Sequence, residues 1–167
     1  MTAILEKVRF LIVDDNAHML GIVKTILKGF GAEHVFDAKD TAEAMRRLKN
    51  EAIDIIILDY QLGEEDGVAF LHRLRTSSES PAPYIPVIML TAHADKVRVE
   101  AARDAGATEF CAKPVNAAEM LRKVAAVIDR PRSFVRTDTY FGPDRRRRAD
   151  PDYSGPERRK DGSKPDT

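Results

Sequence analysis

At 167 residues the chain has room for one domain of ordinary size and a tail, and its hydrophobic fraction of 43% suits a packed core. Its formal net charge of zero points to neither nucleic acid nor a membrane surface as partner. One cysteine, Cys111, excludes an intrachain disulfide framework, and no apolar stretch approaches the ~18 residues that a membrane span needs.

Met1 to Lys7 contains Glu6 and lacks an apolar signal core, so a soluble cytoplasmic protein is expected. Val8 to Val13 is an apolar run interrupted only by Arg9, and it reads as a buried strand ending at Asp14-Asp15. Asn16 can cap the helix that follows, in which Met19, Leu20, Val23, Ile26, Leu27 and Phe30 recur at helical spacing. Gly29 and Gly31 mark its end. A short strand is expected around Val35 and Phe36. Asp40-Thr41-Ala42-Glu43 is an acidic capping box for a second helix with Ala44, Met45 and Leu48 inward. Ile53 to Asp59 is an apolar run that stops at a carboxylate, a strand buried on both faces. A polar, glycine-containing loop follows, and Asp66 or Gly67 opens a third helix.

Ser77 to Pro86 is a loop, and Ile85 to Leu90 a strand ending at Thr91. The next helix is expected to turn Val97, Ala101, Ala102 and Ala105 inward and to stop at Gly106. Ala107 to Cys111 is a strand around Phe110 that ends at Lys113-Pro114. Asn116 to Glu119 is a second capping box, and the last helix buries Met120, Leu121, Val124, Val127 and Ile128. Five alternations of strand and helix mean a doubly wound α/β fold, with one five-stranded parallel sheet in the order 2-1-3-4-5.

The chemistry gathers at strand ends. Asp14-Asp15, Asp59, Thr91 and Lys113 all fall on the C-terminal edge of the sheet, where open α/β sheets bind ligands. Each pair of carboxylates ~4 Å apart costs about 1 to 4 kcal/mol, depending on the effective dielectric, so a cation must offset them. Lys113 is one candidate and a bound hard divalent cation is the other. A carboxylate nucleophile, a cation, a fixed ammonium group and the Thr91 hydroxyl together meet the needs of phosphoryl transfer.

These residues, with Gly67 eight positions after Asp59, Ala92 after Thr91 and Pro114 after Lys113, resemble the receiver domain of bacterial two-component response regulators over residues 8–130. The resemblance implies a flavodoxin-like fold and a single-domain response regulator. Its Asp59 would accept a phosphoryl group from a sensor histidine kinase, a histidine phosphotransfer protein or a small acyl phosphate. The protein would then be a phosphoacceptor that assists only its own phosphorylation and dephosphorylation. The resemblance further implies Mg²⁺ held by Asp15, Asp59 and the backbone carbonyl of Gln61, with Asp14 helping through water. Thr91 and Phe110 would be switch residues, and Lys113-Pro114 a cis peptide. Two positions depart from the pattern. Many receivers have proline where Gly63 stands, which suggests a looser loop, and His93 lies where side-chain identity tunes dephosphorylation.

Plainer readings exist for single residues. The aspartates can be helix caps or solvated loop acids, Thr91 can merely end a strand, and Phe110 reads first as core. Cys111 reads as a small buried hydrophobe and His18 as a helix-surface residue. Among rival functions, a dehalogenase-type phosphatase needs an acid two residues after the nucleophile, where Gln61 stands. A flavin-binding electron carrier needs a phosphate-cradling loop, and Asp14-Asp15-Asn16 would repel a phosphate. The alternative that survives is a phosphorylation-independent interaction module.

Residues 1–130 hold 17 Lys/Arg against 20 Asp/Glu, a net of −3, whereas residues 131–167 hold 10 against 7, a net of +3. The split places a boundary near Pro131 between a receiver domain, 1–130, and a non-globular Pro/Arg-rich tail, 131–167. With five prolines and three glycines the tail cannot form a core of its own. Within it Tyr140-Phe141-Gly142-Pro143-Asp144-Arg145-Arg146 recurs as Tyr153-Ser154-Gly155-Pro156-Glu157-Arg158-Arg159, each copy read as an aromatic anchor, a Gly-Pro turn, an acid and arginines. Docking on this or a neighbouring receiver, with a homodimer as one form of it, competes with binding a downstream protein target. The seven acids argue against a nucleic-acid footprint.

Overall fold

A computed structural model describes residues 2–92 and 95–145. Five parallel strands form the central sheet: β1 (Arg9–Val13), β2 (His34–Ala38), β3 (Ile55–Asp59), β4 (Val87–Thr91) and β5 (Glu109–Ala112). Their order is β2-β1-β3-β4-β5, as expected from the alternation of elements. The connecting helices are α1 (Ala17–Gly29), α2 (Thr41–Asn50), α3 (Gly67–Thr76), α4 (Lys96–Ala105) and α5 (Ala117–Asp129).

Alternation along the strands divides the core in two. Leu11, Val13, Ile56, Leu58, Val87 and Met89 face α2, α3 and α4, packing on Leu48, Phe70, Leu74 and Ala102. Phe10, Ile12, Ile55, Ile57, Ile88 and Leu90 face α1 and α5, packing on Val23, Leu27, Met120 and Val124. Both faces of β3 and β4 are therefore buried, which is why their sequences are unbroken apolar runs. An N-terminal helical turn, Thr2–Leu5, adds fully buried Leu5 to the second layer.

All five helices begin at an Asn or Asp whose side chain accepts a backbone N–H: Asn16, Asp40, Asp66, Asp95 and Asn116. The caps are thus assigned, and Asp14, Asp15 and Asp59 are not among them. In α4 one expectation fails. Val97 is 76% exposed, because α4 buries Ala102 and Ala105, and Val97 lies about 110° around the helix from the centre of that stripe.

The loop after β3 is a two-stranded antiparallel hairpin, Gln61–Leu62 with Glu65–Asp66. Gly63 turns it with φ 60°, a conformation closed to proline, so the departure at this position shapes a hairpin rather than loosening a loop.

Residues 134–143 form a second hairpin, β6 (Phe134–Arg136) and β7 (Phe141–Pro143), so the segment expected to be non-globular is structured as far as Arg145. It makes no core of its own. Phe134, Phe141 and Tyr84 form a triad with ring centroids 5.1 to 5.5 Å apart, and Val135 is buried. Beneath it Arg75, 2% exposed, donates to the carbonyls of Gly106, Pro83 and Ile85, and its guanidinium stacks 5.0 Å from the Phe134 ring. Burial lowers the Arg75 pKa to about 10, which leaves it charged at neutral pH. Arg132 and Lys123 pair with Glu109, and Arg145 pairs with Asp104 at 2.8 Å. Gly142-Pro143 lies inside β7 rather than at a turn; Thr137 and Tyr140 close the turn with a 2.8 Å backbone bond. The second repeat copy, Tyr153 to Arg159, lies outside the described residues.

Candidate functional site

Four strands end at one cleft of about 390 Å³ at the C-terminal edge of the sheet. β1 and β3 are parallel neighbours in register Val13↔Leu58, so Asp14 and Asp59 emerge side by side. β4 places Thr91 beside them, and the residue after Ala112 of β5 is Lys113. The cleft is lined by Asp14, Asp15, Asp59, Gln61, Thr91 and Lys113, the residues expected from the sequence, and also by Asn16, Tyr60, Gly63, Ala92 and Arg98. Phe110 is the expected site residue that does not line it: half-buried on β5 opposite Met89, it packs against the α2–α4 layer. His93 lies outside the described residues.

One carboxylate oxygen from each of Asp14, Asp15 and Asp59 falls within 4.8 Å of the others. Asp14 is 1% exposed and Asp59 6%, whereas Asp15 faces solvent. Lys113 Nζ lies 3.0 Å from Asp59 Oδ1 and 3.7 Å from Asp14 Oδ2. One ammonium thus serves two acids that are nearly out of water. Asp14 Oδ1 accepts the Asn16 N–H at 2.9 Å, while Asp14 Oδ2 is buried with no hydrogen-bond partner. Burial, with the adjacent charge of Asp59, pushes the Asp14 carboxyl up to about 6; the Asn16 N–H and Lys113 oppose it.

The Lys113-Pro114 peptide is cis, and the Lys113 N–H donates to the Thr91 carbonyl at 2.8 Å, tying the ends of β4 and β5 together. Thr91 is 3% exposed. Gly67 fits the same logic of close approach. Its N–H donates to the Tyr60 carbonyl at 2.8 Å, and a Cβ there would stand 2.1 Å from the Asp59 carbonyl oxygen. The glycine eight residues after Asp59 is where α3 starts against the backbone that carries Asp59.

A buried carboxylate oxygen without a hydrogen bond and three carboxylates around an open cleft fit a divalent cation such as Mg²⁺. Asp15, Asp59 and Gln61 stand where they could hold it. When bound, such an ion supplies positive charge to oxygens that become more negative during phosphoryl transfer. Sequence reasoning missed Arg98. It lies in the first turn of α4, where an arginine after an N-cap looks like an ordinary solvated helix position. Its guanidinium carbon lies 5.9 Å from the ring centroid of Tyr60, the neighbour of Asp59.

Comparison with known proteins agrees with this geometry. Chemotaxis protein CheY-3 of Vibrio cholerae is 32% identical over 131 residues, covering 78% of this chain and 99% of that protein. The CheY-like response regulator receiver domain protein of Methanospirillum hungatei matches with a TM-score of 0.64 at 29% identity, over 73% of this chain and 94% of that one. The CheX-CheY-BeF3-Mg complex of Borrelia burgdorferi contains a chain with a TM-score of 0.64 and 28% identity, over 72% and 89% respectively. The response regulator receiver domain model matches residues 10–125, and the chain belongs to that family.

Proposed function

We propose that Asp59 accepts a phosphoryl group from a sensor histidine kinase or a histidine phosphotransfer protein. The observation that carries this is the 3.0 Å contact of Asp59 Oδ1 with Lys113 Nζ, beside Asp14 and Asp15 at the mouth of the central strand. The Asp59 carboxylate forms a P–O bond as the donor's P–N bond breaks and leaves its electron pair on the imidazole. Lys113 offsets charge at the acceptor, and the Thr91 hydroxyl donates to an incoming phosphoryl oxygen. Asp14, Asp15, Asp59 and the Gln61 carbonyl are the groups that would hold Mg²⁺, which would offset the charge on the phosphoryl oxygens. A similar chain having been solved with BeF3 and Mg supports this assignment.

Output then runs through protein contacts on the face made by α4, β5 and α5, with Thr91 and Phe110 as the moving residues. Exposed Val97 gives α4 an apolar contact point. The target is a downstream protein in the cytoplasm, and the complex of a similar chain with CheX supports a protein partner.

Intact mass after incubation with a small acyl phosphate tests the acceptor. The expected result is one added phosphoryl group in the wild type with Mg²⁺, and none with a chelator or in Asp59→Asn. Phosphate retained by Asp59→Asn overturns the assignment.

A further inference from the structure

We propose that Arg98 is a second phosphoryl-contacting cation, whose movement from Asp95 to the phosphoryl group passes the state of the cleft to α4. The proposal rests on Asp59 being the acceptor. Charge counting motivates it. Among the described residues the charged side chains that line the cleft are Asp14, Asp15, Asp59, Lys113 and Arg98, which sum to −1 with every carboxylate ionised. A divalent cation raises this to +1. Exchanging the single charge of Asp59 for the two of an aspartyl phosphate brings it to zero. Without Arg98 the phosphorylated cleft keeps an excess negative charge behind low-dielectric walls.

Lys113 is already committed to Asp59 and Asp14, at 3.0 and 3.7 Å. Arg98 is held loosely. Its Nε stands 3.7 Å from Asp95 Oδ2, with the two side chains 43% and 54% exposed. A pair that long and that wet is weak. It also lies against the ring of Tyr60, adjacent in sequence to Asp59. A guanidinium offers a planar set of donors matched to phosphate oxygens.

The coupling to α4 follows from Asp95. Its Oδ1 caps the helix by accepting the Arg98 N–H at 2.9 Å, while its Oδ2 faces the Arg98 guanidinium. One residue thus carries both the helix cap and the loose ion pair. When the guanidinium turns to the phosphoryl group, Asp95 loses that partner and the first turn of α4 readjusts, next to exposed Val97. Arrival of phosphate is then registered at α4 by Arg98 as well as by Thr91.

Beryllofluoride serves as the phosphoryl probe. Its affinity with saturating Mg²⁺, the Mg²⁺ affinity without it, and amide exchange across Lys96–Ala105 are measured in wild type, Arg98→Ala and Arg98→Lys. Arg98→Ala is expected to bind beryllofluoride about tenfold more weakly, the loss of one charge-assisted contact. Arg98→Lys is expected to fall between. The Mg²⁺ affinity of Arg98→Ala without the probe should stay level or rise, since a nearby cation has gone; general damage to the cleft would weaken both. The probe-dependent change in α4 exchange should disappear. Beryllofluoride binding by Arg98→Ala as tight as wild type, with the same α4 response, overturns the role of Arg98. Failure of wild type itself to bind the probe overturns the acceptor reading and this one together.

Discussion

Asp14 combines a buried oxygen without a hydrogen-bond partner and a carboxyl pushed up to about 6. Its pKa is raised above the unfolded value of 3.8, so the metal-free native state binds the Asp14 proton more tightly than the unfolded chain does. Linkage fixes the sign: stability is lost as pH rises from about 4 to about 6, and the loss persists at neutral pH. Asp14→Asn should therefore stabilise the metal-free protein at pH 7 by about 1–3 kcal/mol in urea unfolding, while weakening Mg²⁺ binding. Destabilisation of Asp14→Asn at pH 7 would contradict the charge strain inferred here. Most of the cleft was legible in the sequence for one reason: Asp14, Asp59 and Thr91 each follow or end a stretch of at least four consecutive apolar residues, and such stretches become adjacent strands. Lys113 was marked by the proline after it. Arg98 carried no such mark, because it follows a helix cap and ends no apolar run.

The C-terminal hairpin depends on the rest of the chain for its packing. Its composition denies it a core, and it instead completes one with Tyr84 and Arg75 of the receiver. That contact was not readable. Arg75 falls on the buried stripe by spacing, four residues after Leu71, but an arginine there gives no sign of a fully buried guanidinium, and Gly142-Pro143 resembles a turn although it lies in β7. The buried guanidinium satisfies three carbonyls, so Arg75→Ala leaves them unpaired and removes the seat of Phe134. A loss of about 3 kcal/mol or more is expected in thermal or urea unfolding. Truncation after Arg130 should cost less, since Arg75 keeps its carbonyls, and should leave Tyr84 and Glu109 more exposed to solvent. Equal stability of the full and truncated chains would mean that the docked hairpin contributes nothing.

In the whole molecule, β4 and β5 run between two dissimilar ends. The acidic cleft sits where they finish, at Thr91 and Lys113. The hairpin sits where they begin, touching Ile85 through Arg75 and Glu109 through Arg132. Strand order and the division of the core into two layers followed from the sequence, because every apolar run had to be covered on both faces. Signalling by this molecule requires one covalent bond to form at one side chain. Borohydride reduction of the acyl phosphate after incubation with a phosphodonor and Mg²⁺, followed by peptide mass mapping, locates that bond directly. The account predicts homoserine in place of Asp59 and unmodified aspartate at positions 14 and 15. Reduction at Asp14 or Asp15, or at no residue of a protein that has taken up phosphate, would contradict it.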